Sequence, residues 1–311
     1  VAVRADHEVA GDDEALLRFF HVDMRRIGFN YYPPETGPDA DGAKRTPWGV
    51  PFNPAKGITD PTTYFMEEMT VADVEALPRP DPAKLDYSTI LPQCRKCHPE
   101  YATYGAPWCP FFHEVGWMIG QEKFYVWMHT KPDVVEAAIR HVVDYELDVT
   151  RRFLEACRGE LDIYYIGNDF GTQRGLFISP ECWERFIRPS LRKYFALARD
   201  AGCKVMKHSC GCVRPIIPAL MADGMDILDP VQVRAEGMDL AGLVRDFGAR
   251  LTLHGGVDTQ RTLPFGTPAD VKAEVRGYRA CTRKRGGWIL CGSQELIEDI
   301  PSPTVSLYTQ H

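Results

Sequence analysis

From about residue 130 the chain alternates without interruption between short apolar β-rich runs and amphipathic helical stretches. Pro132 opens the first helix, whose apolar positions Val134, Val135, Ala138, Ile139, Val142, Val143 and Leu147 keep a 3.6-residue period toward Cys157. Leu161 to Ile166 reads as a strand, Ser179-Pro180-Glu181 as a capped helix start stopped near Gly202, and Cys203 to Met206 as the next strand. The rhythm continues with a helix over 213–223, a strand over 225–228, a helix over 239–247 and a strand over 251–253. Thr267-Pro268-Ala269-Asp270 caps a last helix, and Trp288 to Leu290 is the last strand. Alternation of this kind builds a parallel sheet.

Each strand ends in polar residues: Asn168 and Asp169, His208 and Cys210, Asp229 and Gln232, His254 and Asp258, and Cys291. A closed barrel gathers the C-terminal ends of its strands into one site, so the expected class is α/β, a (β/α)8 TIM barrel. The open doubly wound alternative lacks a Gly-x-Gly-x-x-Gly turn after a strand. A single domain over 1–311 is expected, with a barrel core over 100–311 and an irregular N-terminal part over 1–99. In that part Asp12 or Asp13 caps a helix to about Arg25, and 31–60 reads as irregular connection. Thr70 with Asp73 starts a short helix, 80–92 is a connector, and Tyr101 to Ala106 is a strand.

A formal net charge of −7 argues against a nucleic-acid partner. Without an apolar run of membrane-spanning length or a signal-peptide pattern, the expectation is a cytoplasmic chain with no membrane partner and ten reduced cysteines. Cys94-Arg95-Lys96-Cys97-His98 has the form of a c-type haem attachment. With no export signal it reads as an exposed loop with incidental cysteines.

If 205–210 is a strand, His208 and Cys210 share a face and form two teeth of a metal clamp. Cys291, ending another apolar run, is the expected third tooth. The result is a His-Cys-Cys zinc site with an open fourth position, the pattern of catalytic zinc. The opposing reading packs His208 and Cys210 as barrel residues and Cys291 as a small apolar filler. Cys212 is an alternative ligand, placed past the strand in the loop. Asp169 could orient substrate, accept from His208 or pair with Arg174. His254, followed by Gly255-Gly256, marks a second strand end where a ligand can approach closely. His113-Glu114 adds polar groups, and Tyr164, Tyr165, Phe170 and Trp288 could line the cavity.

The stretches Gly167-Asn168-Asp169-Phe170-Gly171-Thr172-Gln173-Arg174-Gly175, Lys207-His208-Ser209-Cys210-Gly211, Asp226-Ile227-Leu228-Asp229-Pro230-Val231-Gln232 and His254-Gly255-Gly256-Val257-Asp258-Thr259-Gln260 resemble the uroporphyrinogen decarboxylase superfamily. Within it they are similar to the corrinoid-linked methyltransferases and demethylases. The resemblance covers about residues 100–311 and implies a (β/α)8 barrel. It implies zinc held by His208, Cys210 and Cys291, catalytic roles for Asp169 and His254, and substrate contacts from Asn168, Gln173, Arg174, Gln232 and Asp258. It further implies cobalamin supplied by a corrinoid protein, a small methyl donor or acceptor, and homodimers as a common assembly. Two alternatives stand beside it. One is a metal-free lyase like the family's namesake, whose Arg-Gln-Ala-Gly-Arg-Tyr signature is not found here; the other is a non-catalytic zinc- or corrinoid-binding protein.

Overall fold

The computed structural model describes residues 13–29, 44–52, 61, 64–66, 68–283, 287–297, 299–301 and 305. Among them the strands are β1 (Met24–Ile27), β2 (Lys44–Arg45), β3 (Pro51–Phe52), β4 (Ala102–Trp108), β5 (Ile163–Gly167), β6 (Lys204–His208), β7 (Ile227–Val231), β8 (Thr252–Val257) and β9 (Trp288–Gly292). β2 and β3 form an antiparallel pair. The main sheet has the order β1-β4-β5-β6-β7-β8-β9, which is chain order. The expected eight strands are thus met by seven in this sheet among the described residues, in a parallel α/β arrangement.

The chain divides into two compact units, one of Val1–Arg25, Asp169–Phe177 and Lys204–His311, the other of Arg26–Asn168 and Ile178–Cys203. In the second unit, β4 and β5 run parallel, with Tyr104 opposite Ile163 and Trp108 opposite Ile166. Its long helix, Pro132–Cys157, starts on a proline whose missing N–H costs nothing in the first turn, and buries Val135, Val142, Val149 and Phe153 along one stripe. Ser179 accepts the Cys182 N–H, starting a helical segment that widens into one π-turn at Trp183–Ile187 just before Pro189. A proline cannot donate backward, and the wider turn accommodates that loss.

Several sequence expectations change here. Residues 90–97 are a helix, Ile90–Cys97, and not an exposed loop: Cys94 is fully buried, with its thiol hydrogen-bonded to Cys157. Two further helices, Phe111–Ile119 and Gln121–Thr130, meet at Gly120, whose φ is +96°. The N-terminal helix runs only Asp13–Phe19; His21 adopts φ +52° and β1 follows. Arg25 is buried there, donating to the Glu14 carboxylate at 2.8 and 3.0 Å. Asp12 and most of the connection expected over 31–60 lie outside the described residues.

The first unit carries β6, β7, β8 and β9 as successive parallel neighbours. Its helices start on side-chain caps: Asp239 accepts the Gly242 N–H, and Thr267 with Asp270 forms a capping box. Phe20, Val257, Leu263, Val271 and Val275 make its apolar core. The β7–β8 ladder shifts register between Leu228 and Val231. Gly255 sits at that shift with φ +110°, where a Cβ would lie 2.8 Å from the Val231 nitrogen, so only glycine fits. Among the described residues no helix is long and apolar enough to cross a membrane.

Candidate metal centre

The site is built on three neighbouring strands of the first unit, at the end of β6 and within β7 and β8. His208 is the last residue of β6 and stands opposite Asp229 of β7. His254 of β8 lies on the other side of the same aspartate. Asp229 is 5% exposed and uses both carboxylate oxygens: Oδ2 lies 2.7 Å from His208 Nδ1, and Oδ1 lies 2.5 Å from His254 Nδ1.

On its free side the His208 ring faces two further groups. Its Nε2 is 3.4 Å from Cys210 Sγ and 3.3 Å from Asp169 Oδ1. The ligand atoms of Asp169, His208 and Cys210 all lie within 4.8 Å of one another, the one such group of three among the described residues. Tetrahedral zinc, with bonds of about 2.0 Å to nitrogen and oxygen and about 2.3 Å to sulfur, sets its donors roughly 3.3 to 3.6 Å apart. The two distances from His208 fit that spacing.

The loops holding these donors are locked together. Asp169 Oδ1 accepts the Cys210 N–H at 2.9 Å, Ser209 Oγ accepts the Phe170 N–H at 2.9 Å, and the Thr172 carbonyl accepts the Cys212 N–H at 2.7 Å. Gly211 has φ +79°, and a Cβ there would collide with the Gly171 carbonyl. Gln232 Oε1 accepts from the Gly211 N–H at 2.8 Å and from Gln173 Nε2 at 3.2 Å. Gln294 Nε2 donates to Cys210 Sγ at 3.0 Å.

Lys207 lies beneath this cluster, fully buried, donating to the His208 carbonyl and sitting 4.7 Å over the Phe170 ring. Burial pushes its ammonium down to about 7, against the pull of Asp169, Cys210 and Asp229. Burial also disfavours charged histidine, but hydrogen bonds to Asp169 and Asp229 outweigh it and hold His208 well above its ordinary range. For His254, burial is outweighed by Asp229 and Cys291, raising it to about 10. Asp229 moves far below the usual carboxylate range: burial would raise it, and the two imidazoles overcome that.

The residues expected from sequence separate into groups. Asp169, His208, Cys210 and His254 come together, with Gln173 and Gln232 bracing the loops. Cys291 does not join the group of three; it stands beside Gly256 in the β8–β9 register, and its thiol is hydrogen-bonded to His254. Asn168 instead ties its loop to the segment after β4, accepting the Phe112 N–H and donating to the Cys109 carbonyl, both at 3.0 Å. Asp258 holds Arg234 at 2.6 Å and caps the turn at Gln260, and Arg174 is exposed. Cys212 is buried by the loop contact.

The aromatics Tyr164 and Phe170 are fully buried, and Trp288 donates to the Gly255 carbonyl at 2.9 Å. Tyr165 packs against Trp108, and His113 stacks on Trp117. Sequence reasoning missed the roles of Lys207, Asp229 and Gln294. For Asp229 a signal existed, since it closes an apolar run as His208 does.

Fold and cluster together define an α/β protein whose polar groups stand at the C-terminal edge of a parallel sheet, the place where such folds carry their chemistry. The chain belongs to the uroporphyrinogen decarboxylase (URO-D) family, whose model matches residues 49–309. Among solved structures it is similar to a methyltransferase from Methanosarcina mazei, at 17% identity and a TM-score of 0.66, over 96% of this chain and 82% of that one. At that identity the likeness is one of fold. No curated protein matches the sequence.

Proposed function

We propose that the protein is a zinc-dependent methyltransferase that moves a methyl group between a small methylated substrate, or a thiol acceptor, and the cobalamin of a partner corrinoid protein. The observation that supports this reading is the convergence of Asp169, His208 and Cys210 around one point, with the back of the His208 ring held by Asp229. Asp169, His208 and Cys210 would hold the ion. Zinc held there would keep a substrate thiol as thiolate or polarise a departing heteroatom.

The protein's own groups do the rest. Gln294 donates to the Cys210 sulfur at 3.0 Å and helps fix its position. Asp169, fixed by the Cys210 N–H, cannot swing away. The buried Lys207 offsets the negative charge of Asp169 and Asp229 from below. His254, its Nδ1–H held by Asp229 and its charged form favoured, can donate a proton from Nε2 to substrate.

The test combines metal content with an assay for methylation of cob(I)alamin by methoxylated, methylthio and methylamine compounds. Close to one zinc per chain, with turnover lost in Cys210→Ala, supports the proposal. Full activity in a metal-free preparation, or release of carbon dioxide from an acidic tetrapyrrole, sinks it.

A further inference from the structure

We infer that Asp229 is the positioning residue of this centre, one carboxylate that fixes the ring orientation and tautomer of His208 and His254 together. The inference rests on the metal-holding reading above.

The three residues come from three successive strands. His208 and Asp229 are register partners, and Asp229 lies within the ladder shift between Leu228 and Val231. Each imidazole meets a different oxygen of the same carboxylate, at 2.7 and 2.5 Å. An ionised carboxylate can only accept, so both rings carry a proton on Nδ1. In the metal-holding state Nε2 of His208 is therefore the acceptor nitrogen, and it is the atom facing Cys210 and Asp169. In His254 the same constraint leaves Nε2 as the nitrogen available on the side of the Cys291 thiol. Asp229 is 5% exposed, and its carbonyl is also tied down, by the Ser209 N–H at 2.7 Å. Turning one ring requires shifting the carboxylate that holds the other, so the two imidazoles behave as one unit.

Asp229→Asn separates this role from simple packing, because the shape is kept. Its single oxygen can serve one ring, while its amide group confronts the Nδ1 of the other and forces that ring to carry its proton on Nε2. The experiment titrates the full-length wild-type chain, Asp229→Asn and His254→Gln with Co2+, following the visible spectrum and chelator competition. Apo melting curves verify folding. For Asp229→Asn the Co2+ affinity is expected to fall between about 10-fold and 100-fold. His254→Gln leaves the Asp229–His208 bond in place, and a smaller loss than in Asp229→Asn is expected. Nitrogen-15 spectra of the zinc-loaded wild type are expected to show Nδ1–H and metal-bound Nε2 for His208, which decides the matter even if Asp229→Asn does not fold. Unchanged Co2+ affinity in folded Asp229→Asn, or His208 metallated through Nδ1, overturns the inference. A wild-type chain that takes up neither Co2+ nor Zn2+ overturns the metal reading itself, and this inference with it.

Discussion

Asp169 Oδ1 accepts the backbone N–H of Cys210 at 2.9 Å while lying 3.3 Å from His208 Nε2. The carboxylate is therefore aimed at the imidazole by the main chain of the residue that supplies the sulfur. Asp169→Asn keeps an acceptor for that N–H but removes the charge, and Asp169→Ala removes both. Loss of a charge-assisted hydrogen bond costs about 1.5–3 kcal/mol. Calorimetric zinc titration is expected to rank wild type above Asn and Asn above Ala. Equal affinities would exclude Asp169 from the donor set.

Zinc affinity is also expected to rise with pH. Asp169 and Asp229 hold His208 well above its ordinary range, so a metal ion must displace a proton from that ring. Below the raised value, each pH unit gained should tighten binding up to tenfold. The same titration repeated across pH 6 to 8 checks the slope, and a flat profile contradicts it.

The geometry places one sulfur, Cys210, in the group of three and the other, Cys291, against His254. Co2+ substitution is therefore expected to give the sulfur-to-metal absorption of a single thiolate. Cys210→Ala should abolish that band and most of the affinity, while Cys291→Ala should leave both nearly unchanged. Two-thiolate intensity that halves in Cys291→Ala would restore the His-Cys-Cys set expected from sequence.

Glu114 is buried, with Oε2 lacking a hydrogen-bond partner among the described residues. Burial pushes its carboxyl up to about 8, only partly offset by the hydrogen bond to Thr46. A carboxyl raised on folding stabilises fully below its unfolded value, about 4.5, and that contribution is lost as pH rises through about 8. Glu114→Gln is therefore expected to gain stability over the wild type at pH 9, on the order of 3 kcal/mol, and little at pH 4. Urea unfolding at the two pH values measures the difference, and an equal effect at both refutes the assignment.

Much of the fold was legible because local signals agreed with it. The Thr70–Asp73 and Thr267–Asp270 boxes and the Ser179 cap all start helices where their spacing predicts. Helix Phe111–Ile119 was not legible, since it is buried nearly all round, through Phe111, Phe112, Val115, Gly116, Met118 and Ile119, and shows no polar stripe. The connector expected over 80–92 overlaps helix Ile90–Cys97, in whose first turn Pro92 sits, where its missing N–H is harmless. At the site, the positions of Asp169, His208 and Cys210 at or just past strand ends could be read from alternation, whereas His254, expected at a strand end, lies within β8. That Asp229 joins two histidines could not, because it depends on the register of three strands. Neither could the contact of Cys291 with His254, which depends on the β8–β9 register.

The close approach of Gly171 and Gly211 sets how wide the clamp can open. With the two backbones touching and the Cys212 N–H bound to the Thr172 carbonyl, Asp169 and Cys210 behave as jaws of fixed gauge. Such a gauge sorts ions by radius. On the metal-holding proposal, Zn2+ and Co2+ would seat at the spacing already present, whereas Ca2+, which takes six to eight oxygens at about 2.3–2.6 Å, would find neither the reach nor the ligand count. On that proposal the choice of ion would be written into a place where two loops have no room for a side chain.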